Sequence, residues 1–305
     1  MYLFLFLLIA VFFGGAFYAY RIPFHVSKKD RNKKADLSGP KYDPCREQMR
    51  QLYRDLAERP CEFVTIKTFD GLTLSGRYYH TADGAPLDIG FHGYRSSPFT
   101  DFCGGSQLSF RMGHNLLLVD QRAHGKSAGR VISFGIRERQ DLLCWVNYAV
   151  DRFGTDTKIL LYGVSMGGAT VLMASELELP KNVKGIIADC PYSSPGDIIL
   201  SVGRQQGYPP KLIWPFVILG GRIYGGFDVR SVTAADAVKN TKVPILILHG
   251  ADDAFVPAFM SRSIADANPE KVQYHTFPGA DHAMSYLVDT PRYHNLVTEF
   301  VNTVL

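Results

Sequence analysis

Little in this chain of 305 residues points to disulfides, metals or nucleic acid. It has five cysteines, Cys45, Cys61, Cys103, Cys144 and Cys190. The number is odd and no two stand as Cys-x-x-Cys, which argues against a disulfide framework or a zinc site and for free buried thiols. There is no His-Glu-x-x-His and no close acid/His cluster in the sequence, so neither a metal nor a cofactor is expected. The net charge is only +4. No basic stripe with interleaved aromatics occurs, which excludes a nucleic-acid partner as the working expectation. Internal repeats and low-complexity segments are also missing.

What is present is a globular composition, 46% hydrophobic and 20% charged, in a chain long enough for one large α/β domain with a sizeable core. The first twenty residues differ from the rest. Residues 1–20 carry no charge and are mostly Leu, Phe, Ile, Val, Ala and Tyr. A bilayer-spanning helix needs roughly 20 apolar residues, and Tyr18 and Tyr20 fall where an interfacial aromatic belt sits. Arg21, Lys28, Lys29, Arg31, Lys33 and Lys34 follow. Charge after the apolar run, and no Ala-x-Ala at its end, favour a retained single-pass membrane anchor over a cleaved signal peptide. The same bias places the following domain on the cytoplasmic side. Residues 21–42 are polar, basic and aperiodic, as in a linker.

The globular domain is expected over 43–305. Asp43-Pro44 has the form of an N-cap followed by Pro at the first helical position. Met49, Leu52, Tyr53 and Leu56 then give a helical stripe. Strands are predicted at 63–67 and 72–79, joined at Asp70-Gly71. Beyond them, apolar runs at 87–91, 115–119, 158–162, 183–188, 243–248 and 272–277 alternate with helical spacing at 136–152, 166–176, 258–267 and 293–304. That alternation means an α/β fold with a mostly parallel sheet covered on both faces. The interval 191–241 is too long for a simple connection. Its apolar residues, Ile198-Ile199-Leu200 and Leu212 to Leu219, pack on the sheet, form a small cap whose inner face meets an acyl chain, or, in the Trp214 segment, touch a membrane.

Gly163-Val164-Ser165-Met166-Gly167 sits between a predicted strand and a predicted helix. Strand, Gly-x-Ser-x-Gly, helix is a nucleophile elbow. A Ser hydroxyl is a weak nucleophile until it is exposed at a sharp turn beside a base. Glycines two residues either side remove the collisions that such a turn creates. The helix that follows aims its first N–H groups at the reacting oxygen. Downstream, one strand ends in His249-Gly250-Ala251-Asp252-Asp253 and the next runs into Asp281-His282. An acid past one strand and a His past the next fall at the same sheet edge as Ser165.

These motifs, together with His92-Gly93, Asp120-Gln121-Arg122-Ala123-His124-Gly125-Lys126-Ser127 and Val256-Pro257, resemble the α/β-hydrolase superfamily, in particular its small-capped serine esterases and thioesterases, over residues 60–305. The resemblance implies an α/β-hydrolase fold and Ser165 as nucleophile, His282 as base and Asp253 as acid. Asp252 and Asp189 are rival acids. It further implies oxyanion donors at the backbone N–H groups of Tyr94 and Met166, and a small-molecule or lipid-like acyl substrate. His92 is expected to shape the oxyanion turn, and His249 to be structural. Ala123 stands where the family pattern has Gly.

Overall fold

Every predicted apolar run becomes a strand, and the amphipathic stretches between them become helices. The computed structural model describes residues 2–27, 29–32, 39 and 42–305. In chain order, α1 is Tyr2–Arg21, α2 Arg46–Glu58, β1 Glu62–Lys67, β2 Thr73–Tyr79 and β3 Leu87–Phe91. Then come α3 Pro98–Asp101, α4 Gly105–Arg111, β4 Asn115–Asp120, α5 Glu138–Phe153, β5 Ile159–Val164, α6 Met166–Ala174 and β6 Val183–Asp189. The interval before the next strand holds α7 Pro195–Gln205, α8 Pro210–Gly220 and α9 Ala234–Ala237. The chain closes with β7 Ile245–Gly250, α10 Phe259–Ala267, β8 Val272–Phe277, α11 Ser285–Val288 and α12 Thr290–Val304.

The eight strands form one sheet in the order β1-β2-β4-β3-β5-β6-β7-β8. β2 is antiparallel to both β1 and β4, and the remaining pairs are parallel. Strands buried on both faces explain the unbroken apolar runs. Along β5, Ile159 and Leu161 enter the core on one face, while Leu160, Tyr162 and Val164 enter the other. The first core includes Leu142, Trp145 and Val146 of α5; the second includes Val297, Phe300 and Val301 of α12. All nine residues of α6 are buried, as expected of a helix that is apolar all round.

The N-terminal region departs from expectation. Among the described residues no helix is long and apolar enough to cross a membrane, so the anchor expected over 1–20 is not found. The segment is helical, but its second half is packed against protein. Ala16 and Tyr20 are buried. A Cβ on Gly220 of α8 would lie 2.6 Å from the Ala16 carbonyl oxygen, so the glycine lets the two backbones meet. Phe12 meets Phe216, and Phe17 and Tyr20 meet Tyr224. The linker expectation also fails over 22–26. Phe24 is fully buried, Val26 N donates to Arg130 O at 2.9 Å, and Ile132 N donates to Phe24 O at 2.8 Å. Apolar residues interleaved with the basic ones give that stretch a face to bury. Met1, Lys28, Lys33 and Lys34, which belonged to those two expectations, lie outside the described residues. At α2 the N-cap position is Cys45, without a side-chain cap. Asp43 instead pairs with the Arg46 guanidinium, because turns at 43–45 delay the helix.

Arg122 ties three elements together beneath the site. Its guanidinium, 2% exposed, donates to both Asp141 oxygens of α5 at 2.6 Å and to Asp70 of the β1–β2 turn at 3.0 Å. Removing one partner of a buried pair leaves an uncompensated charge and costs about 3–5 kcal/mol. Arg122→Leu is therefore expected to lower unfolding free energy by about that much in urea titrations, and a loss below about 1 kcal/mol contradicts this role.

Candidate active site

The turn from β5 into α6 fixes Ser165 in an unusual conformation, φ 54° and ψ −115°. For a residue with a Cβ this region carries strain of order 1–3 kcal/mol and needs surrounding structure to hold it. The holding contacts are visible. Ser165 N donates to Asp189 O at the end of β6, at 2.8 Å. A Cβ on Gly167 would sit 1.8 Å from the Phe91 carbonyl oxygen, and one on Gly163 2.2 Å from the Gly167 carbonyl oxygen. No other residue type fits at either position, which is the physical content of the Gly-x-Ser-x-Gly pattern.

Loops after β7 and β8 bring two side chains to this turn. His282 Nε2 lies 2.9 Å from Ser165 Oγ, and its Nδ1 lies 2.7 Å from Asp253 Oδ2. With the Nδ1 proton donated to the carboxylate, Nε2 is left to accept from the Ser165 hydroxyl. Asp253 is buried. Burial acts to raise its carboxyl pKa, but hydrogen bonds from His249 and His282, the His282 charge and the Val256 N–H outweigh that and hold it well below the usual carboxylate range. The rival acids are placed elsewhere. Asp252 accepts the Gly279 N–H at 2.8 Å. Asp189 accepts from Tyr293 Oη at 3.0 Å, its Oδ1 has no partner among the described residues, and burial pushes its pKa up to about 7.

Tyr94, expected with Met166 to donate to an oxyanion, lines one cavity with Ser165. Met166 is the first residue of α6, and its N–H is among those the helix cannot satisfy itself. Around Tyr94 the neighbouring N–H groups are committed. Gly93 N donates to Asp101 Oδ2 at 2.6 Å, and Arg95 N donates to His124 Nε2 at 3.0 Å. His124 can accept there because burial, with His92 second, pushes its pKa down to about 3 and keeps the ring neutral. His92 is likewise lowered by burial; its Nδ1 faces Gly93 O and its Nε2 accepts the Gln121 N–H. Ala123, in the family's glycine position, takes φ 64°. Backbone strain gathers here: Arg95, Cys190 and Ala283 also have positive φ.

Ser165 opens onto an apolar cavity of about 480 Å³. Its walls come from α7 and α8, from Phe134 and Tyr192, and from α1. A larger groove of about 650 Å³ lies beside Leu87 and Asn115, at the opposite edge of the sheet, and Ser165 is not in its lining. The volume of that groove is no guide to the chemistry, because Ser165 lines the smaller one.

Comparison with known proteins agrees with this architecture. Residues 90–218 match the family model described as alpha/beta hydrolase fold. The esterase Pf2001 of Pyrococcus furiosus superimposes with a TM-score of 0.67 at 23% identity, covering 82% of this chain and 93% of that one. These likenesses show the α/β-hydrolase fold. Uncharacterized protein YqkD of Bacillus subtilis is 26% identical over 200 residues, 65% of each chain. Protein bem46 of Schizosaccharomyces pombe is 26% identical over 190 residues, 61% of this chain and 57% of its own. The matched region thus spans under two thirds of these relatives' length.

Sequence reasoning missed three parts of this site. His249, expected to be structural, is fully buried with Nε2 3.1 Å from Asp253 Oδ2 and Nδ1 2.6 Å from Ser261 Oγ. Its position four residues before Asp253 was the available signal. Asp101, which clamps Gly93 and also accepts from Ser96 Oγ at 2.6 Å, carried no motif. Cys190 was one more expected free thiol, yet its sulfur lies within 4.8 Å of ligand atoms of Asp253 and His282. Burial pushes that thiol pKa well up, which disfavours the thiolate a metal would need. All five cysteines are free, but only Cys45, Cys103 and Cys190 are buried; Cys61 and Cys144 are partly exposed.

A carboxyl with a lowered native pKa stabilises the fold above its unfolded pKa, 3.8, and that contribution is lost as pH falls through the native value. Comparing the wild type with Asp253→Asn, the stability gap should therefore be widest above about pH 5 and shrink below pH 4 in denaturant titrations. A gap that grows on acidification contradicts the assigned sign.

Proposed function

We propose that this protein is a serine hydrolase that cleaves carboxylic esters or thioesters through an acyl-enzyme. The observation that carries the reading is the hydrogen-bonded row Ser165–His282–Asp253, whose Ser165 end opens onto an apolar cavity. In this reading His282 takes the hydroxyl proton as Ser165 Oγ attacks the carbonyl carbon. Asp253 holds the imidazole tautomer and stabilises the imidazolium that forms. The Tyr94 and Met166 N–H groups receive the oxyanion. His282 passes its proton to the leaving alcohol or thiol, and water repeats the cycle to release the acid.

The likeness to an esterase fold supports ester chemistry. The cavity supports an acyl substrate over a peptide, since its lining offers few groups to pair with peptide N–H and C=O. We assign the 191–241 segment as the cap that selects the acyl group, because α7 and α8 supply much of that lining. A binding protein on this fold has no need of all three side chains in register.

Ser165→Ala should abolish labelling by a fluorophosphonate and lower turnover of p-nitrophenyl butyrate by about a thousandfold or more. Labelling or turnover that persists at wild-type levels would sink the assignment.

A further inference from the structure

The N-terminal helix is fastened to the site it adjoins. Tyr94 Oη donates to Pro23 O at 2.9 Å. The Arg95 guanidinium donates to Ile22 O at 2.7 Å and to His25 O at 3.1 Å. These are the two residues after Gly93, where the oxyanion turn is formed. From that fastening, next to Ile22, α1 runs back along the cavity and presents Ala19, Tyr18 and Gly15 to it. Gly15 stands seven residues before Ile22, about 10 Å along a helix axis. There it faces Phe216 of α8: a Cβ on Gly15 would meet the ring at 2.9 Å. The cavity is thus a slot between α1 and the α7–α8 pair, with the Gly15–Phe216 contact some distance from Ser165.

The polar groups of Tyr94 and Arg95 that reach the cavity are already spent on the carbonyls of Ile22, Pro23 and His25, just past α1. Tyr192 Oη is likewise spent on Phe134 O at 3.0 Å, and Tyr18 pairs with Tyr208. Gln206 adds one amide to the lining, and the remaining walls are aliphatic and aromatic, so the slot is poor in groups that could recognise a polar substituent. We infer that α1 is a wall of the acyl pocket and that the pocket takes an unbranched fatty acyl chain, whose length is limited where Phe216 closes on Gly15. This rests on the ester-hydrolase reading and adds to it the substrate class and the element that measures it.

The test is the chain-length profile of kcat/KM for p-nitrophenyl esters from butyrate to hexadecanoate, on the full chain. Each methylene that enters an apolar wall favours binding by about fourfold, from 0.8 kcal/mol per buried CH₂, so the wild-type profile should climb and then break where the slot is full. Ala19→Phe fills the slot and should lower the dodecanoate-to-butyrate ratio by about tenfold or more. Phe216→Ala opens it and should move the break to longer chains. Val11→Ala, on the exposed side of the same helix, should leave the ratio at the wild-type value. If Ala19→Phe does not fold, Phe216→Ala decides alone. A protein that labels at Ser165 and hydrolyses butyrate, yet keeps the wild-type profile in both pocket variants, overturns the role of α1. A wild type that neither labels nor hydrolyses any ester overturns the hydrolase reading, and this one with it.

Discussion

The backbone of Ser165 is the constraint on which the rest of the site depends. A non-glycine residue at φ 54° does not stay there unaided. It is held because Gly163 and Gly167 let β5, α6 and the end of β3 approach to distances that any side chain would forbid. The bond from Ser165 N to Asp189 O fastens the turn to β6. Once the turn is set, the hydroxyl meets His282 in the loop after β8, and α6 begins at the next residue, Met166. Sheet order then does the assembly. β5 lies beside β3, so Gly93 and Tyr94 arrive at the same edge; β7 and β8 lie beyond β6, so Asp253 and His282 arrive from the other side.

Buried polar groups keep that assembly in register. Asp253 is shared by two histidines, and their hydrogen bonds overcome a burial that by itself would favour the protonated acid. Asp101 and His124 grip the peptides on either side of Tyr94. Desolvation makes the neutral state of His92 and His124 the stable one, and only a neutral ring can accept an N–H. Strain and polar order therefore sit on one edge of the sheet. The opposite edge holds an open groove in which Arg152 is already bound to Glu62.

The strand pattern and the chemistry at strand ends were legible in the sequence because each depends on local residues. Leu87–Phe91 and Val272–Phe277 are observed at the boundaries predicted. Ser165, His282 and Asp253 were picked from motifs and stand in contact. What the sequence hid was what depends on distant partners. The run 1–20 looks like a span because composition records hydrophobicity and not what packs on it; Ala16 and Tyr20 are buried, and Gly220 of α8, two hundred residues away, meets them. Phe24 looks like linker because its burial depends on the loop at 130–132. Asp101 bears no motif, and His249 stands in one without showing its partners, because their roles are set by which groups the fold brings near them. Asp43 looks like a cap until Arg46 competes for its carboxylate.

The central claim is that Ser165 carries the acyl group between attack and release. Acid quenching of the wild-type protein within milliseconds of mixing with a p-nitrophenyl ester, followed by peptide mass spectrometry, measures this directly. The account predicts the acyl mass on the peptide that contains Ser165, at the oxygen of that residue. Turnover with the acyl group on another residue, or with no acylated peptide at any quench time, would contradict it.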